Sequence, residues 1–326
     1  MRIGTIGTGY IVRAFLNGAI ANKMQLEAVY SRNKKSGEKL ANEYQTTKVY
    51  TDLEEMLNDS NIDLIYIASP NSLHYSQTLK ALKHGKHVIT EKPFTSTTKE
   101  LEILIKTAKE KNLFLFEAIT NIHLPNFKLI KEEIKKLGNI KFIQCNYSQY
   151  SSKYDAFLRG ENPNVFNPEF SGGALYDINI YNLHFVVKLF GKPTKINYFA
   201  NKHSNGIDTS GVLILNYNDF IAECVGAKDT KSQNFAQIQG EKGYLYVTGG
   251  ANGCQEFKTI IGDKEEIFNQ QTIKNPLYYE NVAFIDIIQR NAYDECYALL
   301  KHSQAVMEIL VSARNDANII FAADKI

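Results

Sequence analysis

A short apolar run, Arg2–Ile6, ends in Gly7-Thr8-Gly9, and a helical pattern opens directly behind it. This junction constrains the fold more than any other feature, because a glycine turn between a strand and a helix starts a βα unit. The first 120 residues keep the same rhythm. Further apolar runs lie at Leu26–Tyr30, Lys48–Tyr50, Leu64–Ser69, His87–Thr90 and Leu113–Glu117. Helical patterns separate them, such as Leu101, Leu104, Ile105 and Ala108 after Thr97. Strands alternating with helices imply βαβ units and a parallel sheet. Six strands fit two mononucleotide-binding halves, with a ligand in the crevice at the strands' carboxyl ends.

The texture changes after Pro125. The pattern predicts a helix over Asn126–Leu137, a strand over Lys141–Tyr150, an irregular stretch rich in Tyr, Phe, Asn and Pro, and a helix over Gly173–Phe190. From Lys195 to Phe268 strand follows strand, with turns at Asn205-Gly206, Asn218-Asp219, Glu241-Lys242 and Asn252-Gly253. Consecutive strands without helices between them predict a largely antiparallel sheet. Helical patterns at Leu277–Arg290 and His302–Phe321 close the chain. A length of 326 residues suits two domains, placed here at 1–120 and 121–326.

Composition excludes several classes of function. The net charge of +2 is spread without blocks, so nucleic-acid binding has no electrostatic footprint. No stretch approaches the ~20 apolar residues of a membrane span, and nothing resembles a signal peptide. The expectation is a soluble, cytoplasmic protein. Cys145, Cys224, Cys254 and Cys296 are far apart and lack metal-ligand spacing. They read as free, mostly buried thiols of a reducing cytosol, with no metal site.

The glycine turn is the candidate cofactor site. Gly7 makes the tight turn, and Gly9 lets the backbone amides of Thr8, Tyr10 and Ile11 approach a pyrophosphate at the helix N-terminus. Val12 stands in the third glycine's place. An NAD site usually carries an acid at the end of the second strand, whereas this chain reads Ser31-Arg32-Asn33-Lys34 and places Glu27 too early. A hydroxyl and a guanidinium suit a 2′-phosphate, which favours NADP, with NAD as the alternative if Arg32 merely stacks on adenine. After the fourth strand, Ser69-Pro70-Asn71 turns into a helix that begins near His74. Asn71 can cap that helix while the same turn touches the ribose. Glu91-Lys92-Pro93 closes the fifth strand and puts a cation on the cofactor edge. A dinucleotide site and a cationic acid/base candidate on one sheet edge point to hydride transfer.

These elements resemble the glucose–fructose oxidoreductase/inositol dehydrogenase/rhizopine-catabolism (Gfo/Idh/MocA) family of NAD(P)-dependent oxidoreductases. The resemblance runs through Gly7-Thr8-Gly9, Ser69-Pro70-Asn71 with His74, Glu91-Lys92-Pro93, Phe116-Glu117-Ala118 and Gly172-Gly173-Ala174-Leu175-Tyr176-Asp177. It implies an α/β fold: an N-terminal Rossmann doubly wound parallel sheet, then a C-terminal α/β domain with an open, mainly antiparallel sheet. The second domain is expected to bind substrate and to form a homodimer or larger oligomer. Asn179 stands where the family commonly has glycine, and Tyr181 where inositol dehydrogenases have histidine. Tyr181 is similar to the dimeric dihydrodiol/xylose dehydrogenase and glucose–fructose oxidoreductase branches. Those branches often have arginine at the position of Ile122.

Asp177, Tyr181 and His184 are spaced by four and three and so share a helix face. Oxidising an alcohol needs a base for the hydroxyl proton, and Tyr181 is the candidate, with Lys92 beside it at the nicotinamide. A free tyrosine titrates near pH ~10, and a cation within ~4–6 Å lowers an acid by roughly one to three pH units. Asp177 is assigned to hold Lys92 or a second substrate hydroxyl, and His184 reads as structural. The expected activity is NAD(P)-dependent hydride transfer with a sugar, polyol or related hydroxy/carbonyl compound. The competing readings are a redox-assisted, NAD-dependent glycosidase and a non-catalytic nucleotide-sensing regulator.

Overall fold

In the computed structural model, which describes residues 1–325, every apolar run of the first third becomes a strand. β1 (Arg2–Ile6), β2 (Gln25–Tyr30), β3 (Lys48–Tyr50), β4 (Leu64–Ile67), β5 (His87–Glu91) and β6 (Leu115–Ala118) are all parallel, in the order β3-β2-β1-β4-β5-β6. All four residues of β4 are buried, as a parallel strand covered on both faces requires. The connecting helices are α1 (Tyr10–Ala21), α2 (Lys34–Glu43), α3 (Leu53–Leu57), α4 (His74–Lys83) and α5 (Thr98–Glu110). Their starts are written locally. Asn33 accepts from the Ser36 amide, Asp52 from those of Glu54 and Glu55, and Thr97 with Glu100 forms a capping box. The strand order reverses between β1 and β4, and this switch point opens the crevice.

Asn71 does not cap α4. Pro70 leaves the strand in an extended conformation, Asn71–Leu73 make a 3₁₀ turn, and α4 starts at His74 without a side-chain cap.

The second sheet begins beyond α6 (Pro125–Glu133), which is shorter than expected because its last turn tightens to 3₁₀ at Ile134–Leu137. β7 (Ile140–Ser148) follows, and the stretch expected to be irregular contains a short helix, α7 (Tyr154–Leu158). The long helix predicted over Gly173–Phe190 is a π turn at Leu175–Asn179 leading into α8 (Ile180–Phe190). The remaining strands are β8 (Lys195–Lys202), β9 (Asp208–Asn216), β10 (Ile221–Ala227), β11 (Phe235–Gly240), β12 (Gly243–Thr248), β13 (Glu256–Ile261) and β14 (Lys264–Phe268). Their order is β14-β13-β12-β11-β7-β10-β9-β8, and only the β7–β10 pair is parallel.

Register defines the two faces of this sheet. Tyr198, Leu213, Cys224, Cys145, Ala236, Val247 and Phe257 line up across seven strands, and all are buried. The opposite face stays open, with Phe199 67% and Ile267 63% exposed. The four cysteines are free and buried.

The chain closes with α9 (Leu277–Gln289) and α10 (Tyr293–Asp316). Asn275–Gln304 packs with Met1–Ala118, while Ile119–Lys274 and residues 305–325 form the second unit. A Cβ added to Gly18 of α1 would lie 2.9 Å from Asn281 Nδ2 and 3.0 Å from the Tyr278 amide nitrogen. α9 therefore rests directly on the α1 backbone. Among the described residues, no helix is long and apolar enough to cross a membrane.

Candidate active site

The glycine turn is shaped by what surrounds it. Gly7 has φ +115, and a Cβ there would sit 2.6 Å from the Ala68 carbonyl oxygen. Only glycine fits so tight a passage between β1 and β4. Gly9 is extended and has nothing within 4 Å of its Cβ position, so the approach to the start of α1 is open. No acidic residue occupies the first turn of α1, and no side chain caps it. Its leading amides and positive dipole end are thus available to a pyrophosphate. Val12 is buried, and its Cγ2 makes ordinary contact, at 3.6 Å, with the Gly7 Cβ position. Arg13 pins the turn by donating to the Thr8 carbonyl at 2.6 Å while pairing with Glu43.

A cleft of about 580 Å³ opens beside this turn and is lined by Gly7, Thr8, Ser31, Arg32 and Ser69 among others. The expected contacts Gly9, Tyr10, Ile11, Asn71, His74, Glu91 and Lys92 do not line it. Tyr10 is highly exposed at the head of α1, and Ile11 is half-buried behind it. At the far end of the cleft Arg32 is exposed and makes no hydrogen bond or ion pair among the described residues. The acid inside β2 is committed elsewhere, since Glu27 accepts from Lys48 Nζ at 2.6 Å. Asn33, Ser36 and Arg32 therefore present donors, with no carboxylate beside them on the cleft wall. The open space at Gly9 and this cationic rim fit a dinucleotide carrying a 2′-phosphate.

The exits of β4 and β5 are braced by His74. Its Nε2 lies 2.9 Å from the Ser69 carbonyl oxygen, and its Nδ1 lies 2.9 Å from that of Pro93. The ring is fully buried. Burial chiefly, with help from the Lys92 charge, pushes its pKa below the ordinary value, while the hydrogen bonds to the Pro93 and Ser69 carbonyls oppose this. His74, a cofactor-contact candidate in the sequence, ties the two loops together. Ser69 Oγ donates to Gln77 Oε1 at 2.6 Å, which fixes the same turn.

Glu91 is also a buried group, accepting from the Tyr66 hydroxyl at 2.6 Å. Burial pushes its pKa up to about 7, and the charge of Glu117 adds to this, while the Tyr66 hydrogen bond and Lys92 oppose it. Lys92 follows it, half-buried, joined to Pro93 by a cis peptide.

The second unit builds its site on the π turn. Gly173 has φ +102, and a Cβ there would fall 2.0 Å from Asp208 Oδ1. That carboxylate accepts from the Leu175 amide at 2.6 Å and the Tyr198 hydroxyl at 2.7 Å, so it caps the turn. Asn179 Nδ2 donates to the Cys224 carbonyl, and a Cβ on Gly226 would come within 2.5 Å of the Asn179 Cβ. The asparagine that departs from the family's glycine is thus accommodated by a glycine on β10. Asn121 donates to the Tyr181 carbonyl at 2.9 Å and to that of Ala251 at 3.1 Å, anchoring α8 where it carries the tyrosine.

Between Ser171 and Val187 every residue is buried except Asp177 and Tyr181. His184, expected on the same face, is fully buried, which agrees with a structural role. The Tyr147 ring packs edge-on to that of Tyr181, with centroids 5.9 Å apart. Asp177 is ion-paired with Lys228, a residue the sequence reading missed. Asp208 was missed too. The available signal was charge in a strand context: an aspartate at a buried position of β9, and Lys228-Asp229 directly after Gly226-Ala227.

Comparisons with known proteins agree with this architecture. Residues 1–118 match the model of the Gfo/Idh/MocA oxidoreductase family with its NAD-binding Rossmann fold, and residues 128–246 match the family's C-terminal domain. Oxidoreductase YgjR of Escherichia coli (strain K12) is 36% identical over 328 residues, covering 100% of this chain and 99% of that protein. The scyllo-inositol 2-dehydrogenase (NADP(+)) IolU of Bacillus subtilis (strain 168) is 36% identical over 327 residues, with the same coverage. The crystal structure of KijD10, a 3-ketoreductase from Actinomadura kijaniata in complex with NADP and TDP-benzene, has the same fold, with TM-score 0.85, 18% identity and 97% of each chain covered. The glycine turn, the doubly wound first sheet and the open second sheet thus stand in a chain that belongs to the Gfo/Idh/MocA family of NAD(P)-binding oxidoreductases.

Proposed function

We propose that this protein is a cytoplasmic, NADP-dependent dehydrogenase that oxidises a CH–OH group of a sugar or polyol, or reduces the matching ketone. The observation that carries the reading is that the buried stretch from Ser171 to Val187 exposes only a carboxylate and a phenol, Asp177 and Tyr181. A buried helix rarely keeps such a pair for packing alone. When bound, NADP supplies the acceptor or donor of the hydride. The chain's own residues do the rest. Gly7, Gly9 and the start of α1 bind the pyrophosphate, and Arg32 with Ser31 and Ser36 takes the 2′-phosphate. Tyr181 moves the hydroxyl proton, Lys92 stabilises the oxygen as its charge changes, and Asp177 receives a neighbouring hydroxyl.

Support for NADP comes from the uncommitted guanidinium of Arg32 and from the cofactor named for the IolU relative. That relative also makes cyclic polyols the first substrate class to try. The open face of the second sheet, with Phe199 and Ile267 exposed, supports a homodimer formed through it. The test is a turnover screen of the purified chain with NADP and NAD against scyllo-inositol, myo-inositol, glucose and xylose, following reduced cofactor. NADP-dependent turnover of at least one polyol or sugar is expected. Cofactor binding without turnover of any compound, in either direction, would remove the dehydrogenase reading.

A further inference from the structure

We propose that Lys228 is the positioning residue of the substrate site, holding Asp177 as a fixed carboxylate that receives a second hydroxyl of the substrate. The inference rests on the polyol reading above and deepens it. Lys228 follows β10, where its amide donates to the Thr209 carbonyl at 2.8 Å and so extends the β9–β10 pairing by one residue. Its side chain is only 4% exposed, whereas that of Asp177 is 28% exposed. The pair therefore has a buried cation and an accessible anion.

A buried ammonium is costly unless its charge and its three donors are satisfied. Asp177 Oδ2 accepts from Lys228 Nζ, and the ammonium lies 5.1 Å from the centroid of the buried Phe166 ring. Neighbouring acids have other duties. Asp208 caps the π turn, and Asp229 accepts from the hydroxyls of Thr209 and Ser210 at 2.7 and 2.8 Å. The π turn is itself pinned at both ends, by Asp208 at the Leu175 amide and by Asn179 at the Cys224 carbonyl. Asp177 is thus held by its own backbone and by Lys228, and its side chain keeps 28% of its surface exposed. The exposed part of the group is set to accept from a hydroxyl.

The test uses the full chain with NADP and scyllo-inositol as the varied substrate. Lys228→Met should raise KM by about tenfold to a hundredfold, the loss of a hydrogen bond to a charged group, with a smaller change in kcat and NADP affinity unchanged. Lys228→Arg should restore most of the loss. Asp177→Asn should behave like Lys228→Met, and the double variant should be no worse than either. A folded Lys228→Met with unchanged KM, or additive effects in the double variant, would overturn the proposal.

A second measurement is independent of the substrate. In carbon-13 aspartate NMR of the full chain, the carboxyl resonance missing from Asp177→Asn should titrate at lower pH in the unmodified protein than in Lys228→Met. If Lys228→Met does not fold, Lys228→Gln takes its place. Lys228 is the cation at this carboxylate, Asp208 and Asp229 are the nearby acids from β9 and beyond β10, and Tyr181 lies one turn on. An unmoved titration would overturn the positioning role. Absence of scyllo-inositol turnover, with the titration shifted as expected, would count against the polyol reading alone.

Discussion

Replacing Gly173 by alanine isolates the contact that shapes the second unit's site. Two costs can be separated. The residue sits at φ +102, where an L side chain is strained by about 1–3 kcal/mol. The new methyl group would also fall 2.0 Å from Asp208 Oδ1, so the carboxylate must move. Asp208 is buried and accepts from the Leu175 amide and the Tyr198 hydroxyl. Losing a hydrogen bond to a charged group costs about 1.5–3 kcal/mol. The sum is roughly 3–6 kcal/mol, a large share of the ~5–15 kcal/mol that holds a typical protein folded. Gly206→Ala is the control, since Gly206 also has positive φ, +87, but nothing within 4 Å of its Cβ position. Urea denaturation followed by circular dichroism should show Gly206→Ala losing only the strain, about 1–3 kcal/mol, and Gly173→Ala losing about 1.5–3 kcal/mol more. Equal losses in the two variants would refute the claim that this glycine makes room for Asp208.

Arg32→Ala should weaken NADP binding by about tenfold to a hundredfold, and NAD binding by less than twofold, in isothermal titration. Tighter binding of NAD than NADP to the unmodified protein would contradict the assignment. Glu91, raised from its ordinary 4.5 to about 7, binds a proton more readily folded than unfolded. Stability from this group is present at acid pH and falls as pH rises from about 4.5 to 7, by at most about 1.4 kcal/mol per unit. Glu91→Gln keeps a partner for Tyr66 and should flatten that stretch of the stability–pH curve, so an unchanged curve would count against it. Phe199→Asp on the open sheet face should convert a dimer to a monomer in light scattering, and an unmodified protein that is already monomeric would remove the dimer.

The parallel sheet was legible because buried strands and amphipathic helices carry different periods, and the glycine turn marked where the first strand hands over to a helix. The hairpins of the second sheet were legible from four polar turns, all of which fall between paired strands. What escaped reading depends on contacts between distant segments. α9 lies on α1 through Gly18, more than 250 residues away, and the helical pattern at Leu277 says nothing about where its apolar face goes. The π turn was hidden because the apolar spacing of Leu175–Asn179 reads as helix, and its ends are held by contacts to Asp208 and Cys224 on distant strands. Asp177 and Tyr181 were identifiable as chemistry on a helix. The partner of Asp177 was not, because Lys228 reads as the solvated end of a strand until its burial is seen. The bracing by His74 was equally out of reach, because its carbonyl neighbours at Ser69 and Pro93 lie on two separate strand exits.

The most direct test of the central claim is the turnover of Tyr181→Phe beside Lys92→Ala, on a substrate identified in the screen, with NADP affinity measured in the same samples. Tyr181→Phe removes a single oxygen from one of the two accessible side chains on a buried helical stretch, so the fold and the cofactor cleft of the first unit should be unaffected. Loss of a proton-transfer group costs roughly 10²–10⁴-fold in rate. The expected result is a fall of that size in kcat for Tyr181→Phe, at least as large a fall for Lys92→Ala, and NADP affinity within about twofold of the unmodified protein for Tyr181→Phe. A Tyr181→Phe enzyme that keeps most of its kcat would contradict the account and leave Lys92 as the proton-transfer group.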